Sequence, residues 1–285
     1  MPGMGEAGQA AAITEAAPAK LNLALHVTGQ RKDGLHLLDS MVVFTRAGDQ
    51  VRLRSGPLSL HIEGRFGAAL AADDGNLCLR AARLAGAQAA ISLTKNLPLA
   101  SGIGGGSADA AAVLRALARC GHALPGDTQQ LGADVPVCLA SAPARMRGVG
   151  EILQPLPPMP PLALVLVNPG TAIPTPQVFA RLSHRDNPPL PPMPTGFADA
   201  AALIAWLGRT RNDLQPAALA LAPVIEQVLA ALRAQGAGLA RMSGSGATCF
   251  GIFERPAAAQ AAAKALSRPG WWAVATELAP PPAPL

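Results

Sequence analysis

The sequence predicts an α+β protein of two lobes with a ligand site between them. Two observations predict this fold class. Strand-like and helix-like segments alternate along most of the 285 residues, and a proline-dense segment over 155–161 interrupts them near the middle of the chain. We therefore predict one lobe over residues 1–155 and a second over residues 156–285, each of ordinary domain size.

The first predicted element is a strand. From Leu21 to Val27, apolar residues occupy every second position, which is the period of a half-buried strand. This places Lys20 and Asn22 on the face opposite the core, although periodicity alone favours a solvated lysine at the strand end. Further strands are predicted over 41–44, 50–54 and 58–62, after a turn at Asp33-Gly34.

A glycine-rich loop follows a strand predicted over 91–95. The loop runs Pro98-Leu-Ala-Ser-Gly-Ile-Gly-Gly-Gly-Ser107 and leads into a helix predicted over 108–117, with Ser107 or Asp109 as its cap. Positive φ angles at Gly102, Gly104, Gly105 and Gly106 would bring backbone N–H groups close to an anion, and the helix N-terminus favours negative charge. The loop therefore predicts a phosphate site, with a flexible linker as the alternative. It is not a Walker A loop, because it lacks the Gly-Lys-Ser/Thr ending of that motif. It is not a dinucleotide fingerprint either, because the third glycine of that motif is missing.

The second half continues the alternation. Predicted elements are a strand over 162–167, helices over 197–207 and 223–233, a glycine turn within 240–251, a helix over 256–266, a strand over 271–278 and a frayed tail over 279–285. Two residues have open interpretations from residue type alone. Asp134, in Gly-Ala-Asp-Val-Pro, is more often a turn or cap residue, and Phe179 is equally suited to the core.

The amino-acid composition favours some classes of binding partner over others. The net charge of +5 suits a polyphosphate ligand, whereas scattered Lys and Arg with 3% aromatic residues argue against nucleic acid. The four cysteines are too far apart in sequence for a zinc site, so no metal-binding residues are predicted. The first nineteen residues contain no Lys or Arg, and no apolar run has the length of a membrane span. We expect a soluble cytoplasmic enzyme, and no membrane partner.

Three segments resemble one enzyme superfamily. Pro98 with Gly-Ile-Gly-Gly-Gly-Ser-Ala-Asp-Ala-Ala resembles the phosphate loop of the GHMP kinases, which include galactokinase, homoserine kinase, mevalonate kinase and phosphomevalonate kinase. It is most similar to the loop of the diphosphocytidyl-methylerythritol kinases, which usually have serine where this chain has Ala108. Ala17-Pro-Ala-Lys-Leu-Asn-Leu with Gly29-Gln-Arg-Lys-Asp-Gly-Leu-His36 resembles the amino-terminal signature of those kinases, which normally has tyrosine where this chain has Leu35. The turn within 240–251 resembles the third GHMP motif, which folds against the phosphate loop.

The resemblance implies a fold and a set of site residues. The fold would be the two-lobed GHMP kinase fold, with a strand-rich first lobe and a ferredoxin-like second lobe. Asp134 would be the catalytic base and Lys20 its cationic partner. The ATP-binding residues would be Pro98, Leu99, Ala100, Ser101, Gly102, Ile103, Gly104, Gly105, Gly106, Ser107 and Ala108. The substrate-binding residues would be Asn22, Leu35, His36, Thr175 and Phe179, with Phe179 stacked on a pyrimidine.

The implied activity is the phosphorylation of the 2-hydroxyl of 4-diphosphocytidyl-2-C-methyl-D-erythritol by ATP, in the non-mevalonate isoprenoid pathway. Mg²⁺ is expected with ATP, held mainly by phosphate oxygens and water. One alternative is a GHMP kinase for homoserine or a mevalonate-type substrate, against which Asp-Gly-Leu-His36 and Ile173-Pro-Thr-Pro176 argue. The second alternative is a basic nucleic-acid-binding module on a kinase-like fold. The sequence predicts no oligomeric state.

Overall fold

The computed structural model describes residues 12–285, so the first eleven residues of the predicted first lobe lie outside the described part. The following elements belong to the first part of the chain: β1 (Ile13–Gln30), β2 (His36–Arg54), β3 (Ser59–Glu63), α1 (Leu77–Leu84), β4 (Ala90–Thr94), α2 (Gly105–Arg119), α3 (Val135–Ala140), β5 (Ala144–Gly148) and β6 (Ile152–Pro155). The strands form one sheet in the order β3-β4-β2-β5-β6, and β1 pairs with β2. Among the strand pairs of this sheet that the structure describes, only β3–β4 is parallel.

The β1–β2 hairpin is the longest pairing in this sheet. Its turn is at Asp33-Gly34 as predicted, with Gly34 at φ +89°. The prediction of separate strands over 41–44 and 50–54 is wrong, because β2 continues through residues 45–49. Gly48 and Asp49 pair with Pro18 and Ala17 of β1, whereas Arg46 N donates to Glu277 O at 2.9 Å near the C-terminus, so the segment has backbone partners on both sides and stays extended. The backbones approach closely at Gly48, where a Cβ atom would lie 2.6 Å from Ala17 O.

Strand β1 is buried on both faces, so the prediction of a half-buried strand is wrong. One face packs against α2, and the other contributes Leu21 and Leu23 to a cluster that includes Leu164 and Phe250 from the second half of the chain. Lys20, on the same strand, is only 4% exposed. Periodicity within one segment did not reveal the second covering layer, because that layer comes from residues more than a hundred positions away.

The second part of the chain contains β7 (Ala163–Asn168), α4 (Thr175–Ala180), α5 (Ala200–Leu207), α6 (Gln215–Leu221), α7 (Val224–Ala234), β8 (Leu239–Met242), β9 (Cys249–Phe253), α8 (Pro256–Leu266) and β10 (Trp272–Thr276). Its four strands form an antiparallel sheet in the order β10-β7-β9-β8. The strands and their connecting helices thus follow the β-α-β-β-α-β pattern of a ferredoxin-like fold, which confirms the predicted class for this lobe. The exact boundary at 155/156 stays a prediction.

The C-terminal residues contact the first lobe, and the prediction of a frayed tail is wrong. The N–H of Ala279 donates to Phe44 O at 2.9 Å, and Arg119 at the end of α2 donates to Ala283 O at 2.9 Å. The tail is therefore held by backbone groups that composition did not indicate. Among the described residues, no single helix is long and apolar enough to span a membrane. Helices α6 and α7 together have the length and apolar composition of a span, but they meet at a bend of 119°.

Arg241 in β8 joins the two halves of the molecule through backbone carbonyls. Its guanidinium donates to Leu23 O at 2.7 Å and Leu207 O at 3.0 Å, and to both the hydroxyl and the carbonyl of Thr210 at 2.9 Å. Burial lowers the pKa of Arg241 to about 10, so the side chain is still charged at neutral pH. The cation is stabilised by these four acceptors.

We expect Arg241→Ala to lower the free energy of unfolding by about 3–5 kcal/mol, because several buried acceptors would lose their donors. Arg241→Lys should recover only part of the loss, since an ammonium has three donors and no planar fork. Urea denaturation would measure both, with the exposed Arg255→Ala as the matched control. A change for Arg241→Ala no larger than that control would contradict the assignment.

Candidate active site

A cavity of about 960 Å³ opens between the two lobes. It is lined by sixteen of the predicted site residues: Lys20, Asn22, Leu35, His36, Pro98, Leu99, Ala100, Ser101, Gly102, Gly104, Gly105, Gly106, Ser107, Asp134, Thr175 and Phe179. The side chains of Ile103 and Ala108 do not line it, because both pack into the core. Segments far apart in sequence therefore meet at one site.

The glycine-rich loop has a conformation that differs in part from the prediction. Gly102 and Gly104 have positive φ angles of +74° and +64°, whereas Gly105 and Gly106 are the first residues of α2. The prediction of positive φ at these two residues is wrong. Capping by Ser107 or Asp109 is also wrong, because the N-cap is Gly104, which makes no side-chain cap hydrogen bond. The first N–H groups of the helix therefore have no capping side chain, and Gly105, Gly106 and Ser107 line the cavity.

A turn from the second lobe holds the loop in place. Ser243 Oγ donates to Gly102 O at 3.0 Å, and Thr248 N donates to Ser101 O at 3.1 Å. A Cβ atom at position 102 would lie 2.5 Å from Ser243 O and 2.6 Å from Gly246 N. Only glycine fits this approach of two backbones. The predicted contact between the third motif and the phosphate loop is thus present.

Lys20 and Asp134 form an ion pair at the start of α2. Lys20 Nζ lies 2.7 Å from Asp134 Oδ1, with side chains 5% and 32% exposed respectively. The backbone N–H of Lys20 donates to Ile103 O at 2.9 Å, which fixes β1 against the loop. Asp134 precedes α3 but makes no side-chain cap hydrogen bond, so its carboxylate is directed to the lysine and the cavity. The alternatives based on residue type, a solvated Lys20 and a capping Asp134, do not fit these contacts.

Asn22 is positioned by residues that sequence reasoning partly missed. Its Nδ2 donates to Ser40 Oγ at 2.8 Å, and its backbone N–H donates to Ser243 Oγ at 3.1 Å. The amide oxygen Oδ1 is buried and has no partner in the described part of the chain. Ser40 belongs to no motif, so only the structure identifies it. Thr175 is positioned similarly, since its hydroxyl lies 2.8 Å from that of Ser245.

The predicted pyrimidine-binding residues lie together at one end of the cavity. The rings of His36 and Phe179 stack with their centroids 4.7 Å apart and an angle of 29° between the planes. Burial and the charge of Arg185 lower the pKa of His36, which favours the neutral ring at neutral pH. His36 Nε2 is buried without a partner among residues 12–285. Because the two rings stack, His36 covers one face of Phe179. Leu35, which precedes His36 in the chain, is half exposed.

Charged residues beneath the loop were not predicted as a group. Lys95, Asp49 and Asp109 form a buried cluster, and the sequence offered no signal beyond the charges themselves because the three come from different elements. Asn76 and Leu77 line the cavity beside Gly106 and were also missed. Within residues 12–285, no group of three or more His, Cys, Asp or Glu side chains is placed to hold a metal ion.

Two family models and several known proteins are similar to this chain. The family model for the GHMP kinases N terminal domain matches residues 75–142, and the model for GHMP kinases C terminal matches residues 195–270. A 4-diphosphocytidyl-2-C-methyl-D-erythritol kinase of Paracoccus denitrificans is 62% identical over 93% of this chain and 97% of the relative. A protein of the same name from Mesorhizobium japonicum is 52% identical over 91% of this chain and 94% of the relative.

Solved structures show the same relationship. A crystal structure of 4-(cytidine 5'-diphospho)-2C-methyl-D-erythritol kinase has a TM-score of 0.76 at 35% identity, over 93% of this chain and 99% of the other. A homoserine kinase from Cytophaga hutchinsonii has a TM-score of 0.60 at 20% identity, over 97% of each chain, and shares the fold alone. The chain therefore belongs to the 4-diphosphocytidyl-2-C-methyl-D-erythritol kinase family of the GHMP kinases.

Proposed function

We propose that this protein transfers the γ-phosphoryl group of ATP to the 2-hydroxyl of 4-diphosphocytidyl-2-C-methyl-D-erythritol. The observation that carries the proposal is the Lys20–Asp134 ion pair, 2.7 Å long, at the start of the helix that follows the glycine loop. Phosphoryl transfer needs an aligned acceptor oxygen and compensation of the charge on the phosphoryl group. The pair and the loop supply these two requirements side by side, and the family membership of the chain supports the choice of substrate.

The phosphates of ATP would bind to the loop and the first turn of α2. The helix N-terminus carries a partial positive charge, and the N–H groups of Gly105, Gly106 and Ser107 are available because the N-cap has no capping side chain. Leu77 and Asn76 beside Gly106 extend the same wall of the cavity for the nucleoside. The turn at Ser243 already holds Gly102, so little ordering of this part of the loop would accompany binding.

The chemical step assigns one role to each member of the ion pair. Asp134 Oδ would accept the proton of the 2-hydroxyl while the hydroxyl oxygen forms its bond to the γ-phosphorus, and ADP leaves as the bond to the β–γ bridging oxygen breaks. Lys20 holds the carboxylate at 2.7 Å and offsets charge on the transferring group. The unpartnered Oδ1 of Asn22 would accept a hydrogen bond from the acceptor end of the substrate.

The cytidine end of the substrate would lie at the His36–Phe179 pair. The pyrimidine would contact the part of Phe179 that His36 does not cover, with Leu35 beside it. His36 Nε2, which is buried without a partner among the described residues, would form a hydrogen bond to the base. Thr175 and Ser245 also line the cavity, with their hydroxyl groups 2.8 Å apart.

Mg²⁺ would accompany ATP and neutralise charge on its phosphates. No cluster of acidic, His or Cys side chains among residues 12–285 could hold the ion alone, so phosphate oxygens and water would supply most of its ligands. A coupled assay for ADP release tests the proposed activity, with diphosphocytidyl-methylerythritol, homoserine and mevalonate as separate acceptors. Turnover with the first alone is expected, and turnover with either of the others alone would contradict the proposal.

The first catalytic prediction concerns the ion pair. Asp134→Asn should lower kcat by about 10²-fold or more with little change in nucleotide affinity, because the amide cannot accept the hydroxyl proton. Lys20→Met should have a similar effect. Steady-state kinetics and nucleotide titration check both, with exposed Asp127→Asn as the control. Near-normal turnover in either variant would remove that residue from the mechanism.

The second prediction concerns the approach of the two backbones at Gly102. Gly102→Ala should weaken the binding of a non-hydrolysable ATP analogue about tenfold or more, because a Cβ atom 2.5 Å from Ser243 O must displace the loop. Gly121→Ala is the matched control, since Gly121 has a similar φ of +88° but open space around it. Calorimetric titration measures the affinities. Native affinity in Gly102→Ala would show that phosphates do not depend on the loop position.

The third prediction concerns the departure at Leu35. Leu35→Tyr should lower KM for the cytidine substrate about fivefold, through about 1 kcal/mol of added stacking, with kcat unchanged. The base is bound alike in the ground and transition states, so the effect falls on KM. Phe179→Ala should raise KM more steeply, and Leu124→Tyr, at another exposed leucine, is the control. If both site variants leave KM unchanged, the base does not bind here.

A further inference from the structure

A buried cluster of three charged residues lies directly beneath the phosphate loop. Lys95 Nζ lies 2.5 Å from Asp49 Oδ2 and 2.5 Å from Asp109 Oδ2, and none of the three side chains is more than 3% exposed. A Cβ atom at Gly105 would lie 3.1 Å from Lys95 Nζ, so the ammonium is in contact with the first residue of α2. The cluster and the proposed phosphate site therefore share one wall.

The cluster holds both ends of the loop. Before the loop, Asp49 Oδ1 accepts hydrogen bonds from Asn96 N at 2.5 Å and Leu97 N at 2.8 Å. After the loop, Asp109 is fixed in α2 by its bond to Lys95. A change in the charge of Lys95, Asp49 or Asp109 would thus affect the loop residues between Leu97 and Asp109. These residues carry the N–H groups that are proposed to bind phosphate.

The charges in the cluster do not balance. Two carboxylates face one ammonium, so the fully ionised cluster has a net charge of −1 in a buried position, which is costly. Asp109 Oδ1 is buried and has no hydrogen-bond partner among the described residues, whereas both oxygens of Asp49 have partners. A proton on Asp109 Oδ1 would remove the excess charge.

The remaining titratable groups on the elements packed against α2 do not supply the missing charge. The buried or partly buried groups include Cys78 in α1, Cys138 in α3, Glu15 in β1, which pairs with Arg115 and Arg119, the Lys20–Asp134 pair, His26 in β1, and Asp39 in β2, which pairs with Arg145. Arg80 and Arg83 in α1 and Arg46, Arg52 and Arg54 in β2 are exposed to solvent. Burial raises the pKa of both thiols, so they stay neutral. Burial alone would lower the pKa of Lys95, but Asp109 and Asp49 raise it overall, so the lysine stays charged. Burial raises the pKa of Asp109 to about 7, with Asp49 raising it further and Lys95 opposing the change.

We propose that Asp109 is a positioning residue that takes up a proton when the phosphates of ATP occupy the loop. This inference rests on the proposed binding of ATP at the loop. Negative charge brought to the wall shared with Gly105 and Lys95 disfavours the ionised carboxylate, so the nucleotide and the proton bind cooperatively. By linkage, nucleotide affinity is highest where Asp109 is protonated in the free protein, and it falls as pH rises through the interval between the pKa values of the free and bound states.

Calorimetric titration of the native protein with a non-hydrolysable ATP analogue tests this proposal. At pH 7.5, in Tris and in HEPES, the dependence of the binding enthalpy on the buffer measures proton uptake. A shift of one pKa unit predicts uptake of about half a proton, and a loss of affinity of about tenfold between pH 6.5 and 9. Binding with no proton uptake by the native protein would overturn the proposal, whatever any variant does.

Asp109→Asn is the matched variant, because asparagine is isosteric and its amide can accept from Lys95 and mimic the protonated acid. Its proton uptake should be close to zero, and its affinity should stay near the low-pH value of the native protein up to pH 9. Uptake in the variant equal to that of the native protein would show that another group titrates. Failure of the folded native protein to bind the analogue at any pH would instead contradict the proposed ATP site itself.

Discussion

The close approach of the loop at Gly102 to the backbone at Ser243 and Gly246 is the contact on which the cavity depends. The loop comes from the first lobe and the turn from the second, and a Cβ atom at position 102 would lie within 2.6 Å of both. Because two backbones touch here, the lobes meet at a fixed distance and the cavity between them has defined walls. Hydrogen bonds from Ser243 and Thr248 to the loop carbonyls keep this distance.

Helix α2 is held in place at two points by buried charge. Near its start, Lys95 bonds Asp109, and in its middle Arg115 donates to Glu15 Oε2 at 2.9 Å and to Ala16 O at 2.6 Å in β1. Strand β1 also carries Lys20, so the Arg115 contacts fix the distance between the ion pair and the helix N-terminus. Buried ion pairs add little net stability, but breaking one is costly, which makes them suitable for fixing a unique arrangement.

The two departures from the family pattern have different surroundings. Ala108 is 1% exposed and packs into the core of the first lobe, so its methyl group does not alter the lining of the cavity. Leu35 is half exposed at the rim, where a larger ring could be accommodated without repacking. The Lys20–Asp134 ion pair proposed for the phosphoryl transfer is formed by neither residue.

By itself, the sequence determined the alternation of strands and helices, the β4–loop–α2 unit and the residues that resemble the family motifs, because these features are recorded in contiguous segments. The resemblance also implied that Lys20 partners Asp134, and the tertiary structure brings the two together across 114 positions. Only the tertiary structure decided that β1 is covered on both faces and that the helix begins at Gly105. It also brought Asp109 beside Lys95. Local periodicity reports one face of one segment, whereas these contacts depend on how distant segments pack, which no single stretch of residues encodes.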